Sequence, residues 1–92
     1  MKIAYHKKFL KDLKKINKRN PQFFEKIKHI SFNELPAYVE INDISNVKKL
    51  INYKNYYRIR VGSYRIGFKK IAIDSIQLLR VLNRKDIFNY FP

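Results

Sequence analysis

Residues 56–68, YYRIRVGSYRIGF, read as two short β-strands joined by a turn at Gly62-Ser63. Apolar and cationic side chains alternate along both strands, and a period of two places them on opposite faces of a sheet. The apolar face holds Tyr57, Ile59, Val61, Tyr64, Ile66 and Phe68, and the cationic face holds Arg58, Arg60, Arg65 and Lys69. The pattern predicts a β-hairpin that buries one face in a core and presents arginines on the other.

Positive charge is concentrated in and around this hairpin. The 92-residue chain carries 21 Lys and Arg against 7 Asp and Glu, a formal net charge of +14. Residues 44–73 contain no acidic side chain, but they contain Lys48, Lys49, Lys54, Arg58, Arg60, Arg65, Lys69 and Lys70. Such charge on an ordered hairpin is typical of a nucleic-acid-binding protein. The competing interpretation is a lysine-rich surface that is merely solvated.

The composition limits the classes of protein to which the chain can belong. The length suits one domain, residues 1–92, and a hydrophobic content of 46% predicts a folded core. There is no cysteine and there are only two histidines, so neither a metal site nor a cofactor is expected. No apolar run approaches the roughly 20 residues of a membrane span, and the first residues lack a signal-peptide pattern. A cytoplasmic protein without a membrane partner is therefore expected.

The segments flanking the hairpin predict the rest of an α+β fold. Residues 2–5 suit a short strand, and residues 6–17 suit a helix whose apolar positions recur at helical spacing. Asn20-Pro21 is a helix-start signal, so a second helix is predicted from there to about Phe32, ending at Leu35-Pro36. A short extended piece is expected near Val47, the last strand at residues 76–83, and one or two helical turns at the C-terminus.

This order, β-α-α-β-β-β with a short C-terminal helix, predicts two helices packed on one face of a small, mainly antiparallel sheet. Alternation along the last strand places Leu79 and Val81 toward the helices. Arg80 and Arg84 would then join the arginines of the hairpin, so that five arginines lie on one basic surface.

The segment from Lys48 to Pro92, with its hairpin followed by LLRVLNRKDIFNYFP, closely resembles RelE/ParE-superfamily toxins of bacterial type II toxin–antitoxin systems. The N-terminal helical pair fits the same family, so the resemblance extends over nearly the whole chain. It implies the microbial-ribonuclease-like RelE fold and favours a ribosome-dependent mRNA endonuclease. Such an enzyme cuts the A-site codon by attack of the message's 2′-OH on the adjacent phosphate, and thereby inhibits translation.

The resemblance also implies a set of site residues. The catalytic candidates are Arg58, Arg60, Arg65, Arg84 and Tyr90, and guanidinium groups suit the extra charge that develops on phosphate in the transition state. The candidates for substrate binding are Lys48, Lys49, Lys54, Tyr56, Lys69, Arg80 and Phe88. Within this set, Arg65 and Arg84 are the best candidates for the phosphate clamp.

The chain departs from the family pattern at the positions where related toxins carry residues capable of proton transfer. Some RelE-type enzymes carry lysine where this chain has Arg58 and Arg60, histidine where it has Asn83, and tyrosine where it has Phe88. Tyr90 is the nearest candidate to replace that tyrosine. Two alternatives therefore stay open: a ParE-type DNA gyrase inhibitor without nuclease activity, and a catalytically weakened toxin that only binds its antitoxin. All these readings imply an acidic antitoxin, encoded nearby, in a hetero-oligomeric complex with the toxin.

Overall fold

A five-stranded sheet forms the centre of the molecule. In the computed structural model, which describes all 92 residues, its strands are β1 (Lys2–Tyr5), β2 (Val47–Lys49), β3 (Tyr56–Val61), β4 (Tyr64–Ala72) and β5 (Ser75–Asn83). Their spatial order is β1-β5-β4-β3-β2; β1 runs parallel to β5, and every other neighbouring pair is antiparallel. The predicted mainly antiparallel α+β architecture is confirmed, and the extended piece near Val47 becomes the edge strand β2.

Helix α2 (Pro21–His29) begins where the sequence predicts, whereas α1 (Lys7–Arg19) begins one residue after the predicted start at residue 6 and extends two residues beyond the predicted end at residue 17. The His6 side chain accepts the Lys8 N–H at 3.0 Å, and the Asn20 side chain accepts the Phe23 N–H at 3.3 Å. Both contacts satisfy N–H groups that a helix leaves unpaired at its first turn.

The predicted helix end at Leu35-Pro36 is wrong. The chain stays helical through a wide π-turn at Ile30–Glu34 and through α3 (Leu35–Ala37), and it leaves helical geometry at Tyr38. In the wide turn the N–H of Leu35 reaches the carbonyl of Ile30. Pro36 is tolerated because it occupies a first-turn position of α3, where its missing N–H costs least.

The apolar face of the hairpin forms the core with these helices. Ile59 lies opposite Ile66 across β3 and β4, and both are almost fully buried. Phe9 of α1 and Ile27 of α2 are fully buried against this sheet face. The turn begins at Gly62, whose φ of 57° favours glycine. The predicted hairpin is confirmed, and its cationic face points away from α1 and α2.

A bulge in β5 corrects the predicted alternation of the last strand. Phe68 pairs with Leu78 and Gly67 pairs with Arg80, so Leu79 is an extra residue between two consecutive pairs. Leu78 and Val81 are therefore the buried residues, at 0% and 1% exposure, whereas Leu79 is only half-buried. The prediction that Leu79 faces the helices is wrong, because a bulge resets the alternation of a strand.

The C-terminal segment covers part of the other sheet face. It forms the single-turn helix α4 (Ile87–Tyr90) and buries Ile87 and Phe91. A Cβ built on Gly67 would lie 2.7 Å from the Phe91 ring, so this ring packs directly on the bare backbone of β4. The arginine face is therefore covered at one end and open at the other. No helix of this fold has both the length and the apolar character required to cross a membrane.

Candidate active site

Three of the predicted catalytic arginines lie on adjacent strands of the open sheet face. Arg60 of β3 pairs with Arg65 of β4, and Arg58 lies two residues from Arg60 on the same strand face. Arg84 follows the end of β5, and its N–H donates to the carbonyl of Ser63 in the hairpin turn at 2.8 Å. These contacts bring Arg58, Arg60, Arg65 and Arg84, the arginine cluster, to one end of the sheet.

The arginine cluster carries positive charge that the chain does not neutralise. None of its four members pairs with a carboxylate; the ion pairs of the protein lie elsewhere. Burial, together with the positive charges of Arg58, Arg60 and Arg84, lowers the pKa of Arg65 below the usual arginine value. Like charges that face each other across strands also destabilise a sheet. This arrangement is therefore suited to an anion that the protein must bind from solution.

Arg65 is held in place by the hairpin turn. Its Nη1 donates to the carbonyls of Gly62 and Tyr64, both at 2.9 Å. Its Nε and Nη2 have no hydrogen-bond partner within the chain, so these N–H groups stay available to a ligand. A guanidinium fixed on one side and free on the other is well placed to bind a phosphate with two parallel hydrogen bonds.

A polar cleft of about 330 Å³ opens beside the cluster. It is lined by Asn46, Val47, Lys48, Arg58, Arg60 and Arg65. The Asn46 side-chain oxygen lies 3.4 Å from Nη2 of Arg60, and Asn46 itself adopts a φ of 62°. Asn46 was missed by the sequence analysis, because nothing local in the sequence shows that this turn residue lies against β3.

An apolar pocket of about 310 Å³ adjoins the cleft, and Arg58 and Lys48 belong to both. Its apolar wall is formed by Leu50, Ile51, Tyr53, Ile87, Phe88 and Phe91. The Arg58 guanidinium lies 5.0 Å from the centre of the Phe88 ring, within the range of a cation–π interaction. Phe88 lines the apolar pocket and is 71% exposed, so its ring remains accessible to a ligand.

Arg80 is placed differently from the arginine cluster. The Asp12 carboxylate of α1 accepts from its Nε at 2.7 Å and from its Nη2 at 3.0 Å. The hydrogen bond of its side chain with Asp12 raises the pKa of Arg80, and Asp12 also accepts the backbone N–H of Val81 at 3.2 Å. The expectation that five arginines share one open surface is therefore corrected to four, since the charge of the fifth is matched by a buried carboxylate.

Tyr90 accompanies Arg80 rather than the arginine cluster. Its ring centre lies 5.6 Å from the Arg80 guanidinium, and it lines a groove between α1 and β5 that also contains Lys15 and Arg19. The structure thus separates Tyr90 from the cleft lined by Arg58, Arg60 and Arg65. Phe88, four residues after Arg84, is the aromatic residue that lies against the cluster.

The remaining predicted binding residues are spread along the sheet edge. Lys48 lines the cleft and Lys49 lines the apolar pocket, whereas Lys54 lies exposed in the turn before β3. Tyr56 and Lys69 pair with each other at the far end of the hairpin, with the Lys69 Nζ 5.6 Å from the Tyr56 ring centre. Tyr56 also contacts the Phe91 ring, at 5.9 Å between centroids. This pair supports the C-terminal segment and lies four residue pairs from Arg60 and Arg65.

Asp12 and Asn83 have structural roles that the sequence analysis did not assign. The Asn83 side chain accepts the Lys85 N–H at 3.0 Å, and its carbonyl accepts the Asp86 N–H at 2.9 Å, so Asn83 shapes the turn before α4. Asp12 could have been identified from its position, since it is the only acidic residue of α1 and falls on the apolar stripe between Phe9 and Ile16. An acidic residue there needs a buried cationic partner.

Comparison with known proteins agrees with the fold and the sequence pattern. The family model described as the ParE toxin of the type II toxin–antitoxin system parDE matches residues 3–88. Toxin RelE3 of Methanocaldococcus jannaschii is 42% identical over 93 residues, which cover 100% of both chains.

Solved structures of toxins from toxin–antitoxin complexes are also similar to this chain. A chain of the RelB-RelE antitoxin-toxin complex from Methanococcus jannaschii is similar with a TM-score of 0.60 and 40% identity, over 97% of this chain and 99% of that one. A chain of the RelBE2 toxin-antitoxin complex from Mycobacterium tuberculosis has the same fold, with a TM-score of 0.69 and 19% identity over 90% and 96% of the two chains. The chain therefore belongs to the RelE/ParE superfamily of type II toxin–antitoxin toxins.

Proposed function

We propose that the protein is a ribosome-dependent mRNA endonuclease that cuts the codon in the ribosomal A site. The observation that carries this proposal is the arginine cluster: Arg58, Arg60 and Arg65 lie on one sheet face, Arg84 lies near Arg65, and none of the four has a carboxylate partner. A surface that only binds a protein does not need three unneutralised arginines in one cleft with a fourth nearby, whereas a scissile phosphate does. The likeness to toxin RelE3 supports the assignment to the RelE branch of these toxins.

The reaction that fits these residues is an internal transesterification. The 2′-OH of the nucleotide before the scissile bond loses its proton and attacks the adjacent phosphorus, and the bond to the 5′-oxygen breaks. The leaving oxygen takes up a proton, so the products carry a 2′,3′-cyclic phosphate and a 5′-hydroxyl. The transition state has additional negative charge on the phosphate oxygens, which positioned cations stabilise.

Each arginine has a role that follows from its position. Arg65 is fixed by the carbonyls of Gly62 and Tyr64, and with its neighbour Arg84 it binds the non-bridging phosphate oxygens. Arg58 and Arg60 line the cleft on β3 and hold the backbone so that the 2′-OH lies in line with the leaving oxygen. Arginine stays protonated, so these residues act by charge and position, and proton transfer depends on the ribosome and the substrate.

We further propose an acidic antitoxin as the partner that controls this activity. The net charge of +14 gives such a partner its electrostatic attraction, and the antitoxin complexes formed by the toxins of similar structure support it. The antitoxin would cover the open arginine face or displace α4 from it. Affinity for the antitoxin should then fall steeply as the salt concentration rises.

The proposal is tested by adding the purified chain to ribosomes that are programmed with a defined message. We expect cuts within the A-site codon and 2′,3′-cyclic phosphate ends, and we expect Arg65→Ala to slow cleavage by about 100-fold or more. Lys26→Ala, which removes an exposed charge on α2, is the matched control and should cut at the wild-type rate. An intact message at every concentration of folded wild-type protein would overturn the proposal.

The gyrase alternative has its own support in the match to the ParE family model. It is tested with the same preparations in a DNA supercoiling assay. Inhibition of gyrase by a protein that leaves messages intact would assign the chain to this second function, and inactivity in both assays would leave antitoxin binding as its role.

A further inference from the structure

A pocket of about 240 Å³ adjoins the arginine cleft where the cleft is lined by Arg60. This edge pocket lies between the helical segment 26–38 and the segment 44–46 that precedes β2. The cleft shares Asn46 and Arg60 with the edge pocket, and it shares Lys48 and Arg58 with the apolar pocket. A single-stranded RNA whose scissile phosphate lies in the cleft would therefore have one pocket available for the nucleotide on each side.

The edge pocket combines an apolar wall with polar groups. Leu35, Ile44 and Ile59 are buried residues of its wall, and Tyr38 is a partly buried aromatic residue there. Pockets for drug-sized ligands are of this mixed kind but usually measure about 300–1,000 Å³. The smaller edge pocket therefore suits one planar ring system, such as a nucleobase, which aromatic side chains bind by stacking.

A wide helical turn places a carboxylate on the wall of this pocket. Glu34 ends the π-turn at Ile30–Glu34, and its Oε2 lies 3.7 Å from Nε2 of His29. In a regular α-helix, side chains five residues apart point about 140° away from each other and do not meet. The π-turn therefore brings both side chains to the same pocket, and turns of this kind are frequent at functional sites.

The Glu34 carboxylate is free to accept hydrogen bonds from a ligand. His29 lies beyond hydrogen-bond distance, and no other group of the chain donates to this carboxylate. A carboxylate only accepts, through two oxygens that lie side by side. Guanine is the one RNA base whose Watson–Crick edge presents two adjacent donors, N1–H and N2–H. Adenine and cytosine present a single donor group beside an acceptor, and uracil presents one N–H between two carbonyls.

We infer that the edge pocket binds a guanine that flanks the scissile phosphate, and that Glu34 selects this base. The inference rests on the proposed function and deepens it, since it gives a sequence preference to one codon position beside the cut. Glu34 accepts from N1–H and N2–H of the base, while Arg60 holds the backbone of the same nucleotide. Asn46 borders both cavities, and its side-chain oxygen lies 3.4 Å from Nη2 of Arg60, so its amide N–H groups remain available to the nucleotide.

A nucleobase fits the edge pocket better than a side chain of the acidic antitoxin does. An acidic side chain would meet the like charge of Glu34, which no cation of the chain contacts except His29 when that is protonated. An apolar side chain would cover the Glu34 carboxylate without giving it a hydrogen bond, and covering an unpaired charge costs free energy. Guanine satisfies both carboxylate oxygens and also presents a flat apolar face to the wall.

The first experiment measures nucleotide binding without cleavage. The isotope-labelled full chain is titrated with guanosine 5′-monophosphate or adenosine 5′-monophosphate and followed by NMR, and the spectrum of each variant verifies its fold. We expect the guanine nucleotide to bind at least about fivefold more tightly and to shift the amides of residues 30–35 and 44–46. Glu34→Gln should remove this difference, because its side-chain NH₂ would face a donor of guanine. Glu25→Gln is the matched control and should keep the difference, since it removes an exposed carboxylate of α2 outside the pocket.

The second experiment uses programmed ribosomes and messages that differ only at the codon positions beside the cut. Guanine at one of these positions should raise the cleavage rate at least about fivefold over adenine for the wild type and Glu25→Gln, but not for Glu34→Gln. Equal affinities or equal rates for the two bases in the wild type would overturn the inference, and so would a preference that survives in Glu34→Gln. If that variant keeps the preference but loses affinity for the antitoxin, the pocket is assigned to the antitoxin instead. A wild-type protein that prefers the guanine nucleotide yet cuts no message would overturn the nuclease proposal alone.

Discussion

Asp12 and Arg80 form a bidentate ion pair across 68 residues of sequence, with distances of 2.7 and 3.0 Å. The pair joins α1 to the bulged part of β5. Strand β1 pairs with β5 only as far as Leu78, so the Val81 N–H would lack a hydrogen-bond partner without Asp12. Its carboxylate is 4% exposed, and Arg80 in turn lies against Tyr90 of α4. One buried carboxylate thus links the helical layer, the sheet and the C-terminal helix.

We expect Asp12→Asn to lower the free energy of unfolding by about 2–3 kcal/mol. Removal of one partner of a buried pair costs roughly 3–5 kcal/mol, and the partial exposure of Arg80 reduces this figure. Urea denaturation measures the change. The double variant Asp12→Leu, Arg80→Met should be more stable than Asp12→Asn, because it leaves no unpaired buried charge. A loss below about 0.5 kcal/mol in the single variant would contradict this role.

We expect Gly67→Ala to detach the C-terminal segment from the sheet. The added Cβ would meet the Phe91 ring at 2.7 Å, and overpacking of this kind costs about 1–3 kcal/mol. Hydrogen exchange of the amides of residues 87–91 should become at least about tenfold faster. The residues contact each other, so Gly67→Ala and Phe91→Ala should be non-additive in a double-mutant cycle.

Gly62→Ala is the matched control for that experiment. Its Cβ would meet Phe23 at 2.6 Å and its φ of 57° is unfavourable for alanine, so it should destabilise the hairpin turn. It should not accelerate exchange at the C-terminus more than elsewhere. Equal acceleration in both variants would mean that exchange there reports global unfolding only.

Much of this fold follows from local sequence patterns. The period-two alternation around Gly62 predicts both strands of the hairpin and the face on which each arginine lies, and Asn20-Pro21 predicts the start of α2. These features depend on residues that are close in sequence. The candidate cleft was predictable to the same extent, because Arg58, Arg60 and Arg65 belong to that hairpin.

The features that the sequence did not predict depend on distant residues. The bulge at Leu79 depends on the pairing of β5 with β4, and the partner of Arg80 is 68 residues away in α1. The position of Phe91 on Gly67 likewise depends on a contact across 24 residues. A single sequence does not encode such partners in its periodicity, so Arg80 and Tyr90 were assigned to the wrong neighbourhood.

The stability of the protein should fall above about pH 10 partly because of Tyr5. Its hydroxyl donates to the Ser31 carbonyl at 3.0 Å, and burial raises its pKa above the usual value of 10.0. The folded state therefore holds this proton more tightly than the unfolded state. The resulting stability is complete below about pH 10 and is lost as the pH rises through the folded-state pKa.

Urea denaturation between pH 8 and 12 measures this effect. Tyr5→Phe should lower the free energy of unfolding by about 1 kcal/mol at pH 8. Above about pH 10, the free energy of unfolding of this variant should decrease less steeply with pH than that of the wild type. Tyr53→Phe, at a half-exposed tyrosine, is the control, and its free energy of unfolding should decrease with pH as steeply as that of the wild type. Parallel curves for the wild type and Tyr5→Phe would show that this hydroxyl does not contribute to the decline.

We expect Phe88→Tyr to raise the rate of message cleavage by about tenfold or more. The ring already lies 5.0 Å from the Arg58 guanidinium at the edge of the cleft, so a phenol there would place a proton-transfer group beside the proposed phosphate site. General acid–base catalysis contributes about 100- to 10,000-fold when the group is well placed. Tyr90→Phe is the matched control, and it should leave the rate unchanged because Tyr90 lies against Arg80. If Tyr90→Phe greatly lowers the cleavage rate and Phe88→Tyr does not raise it, proton transfer is assigned to Tyr90 instead. In that case α4 would have to reorient on the ribosome.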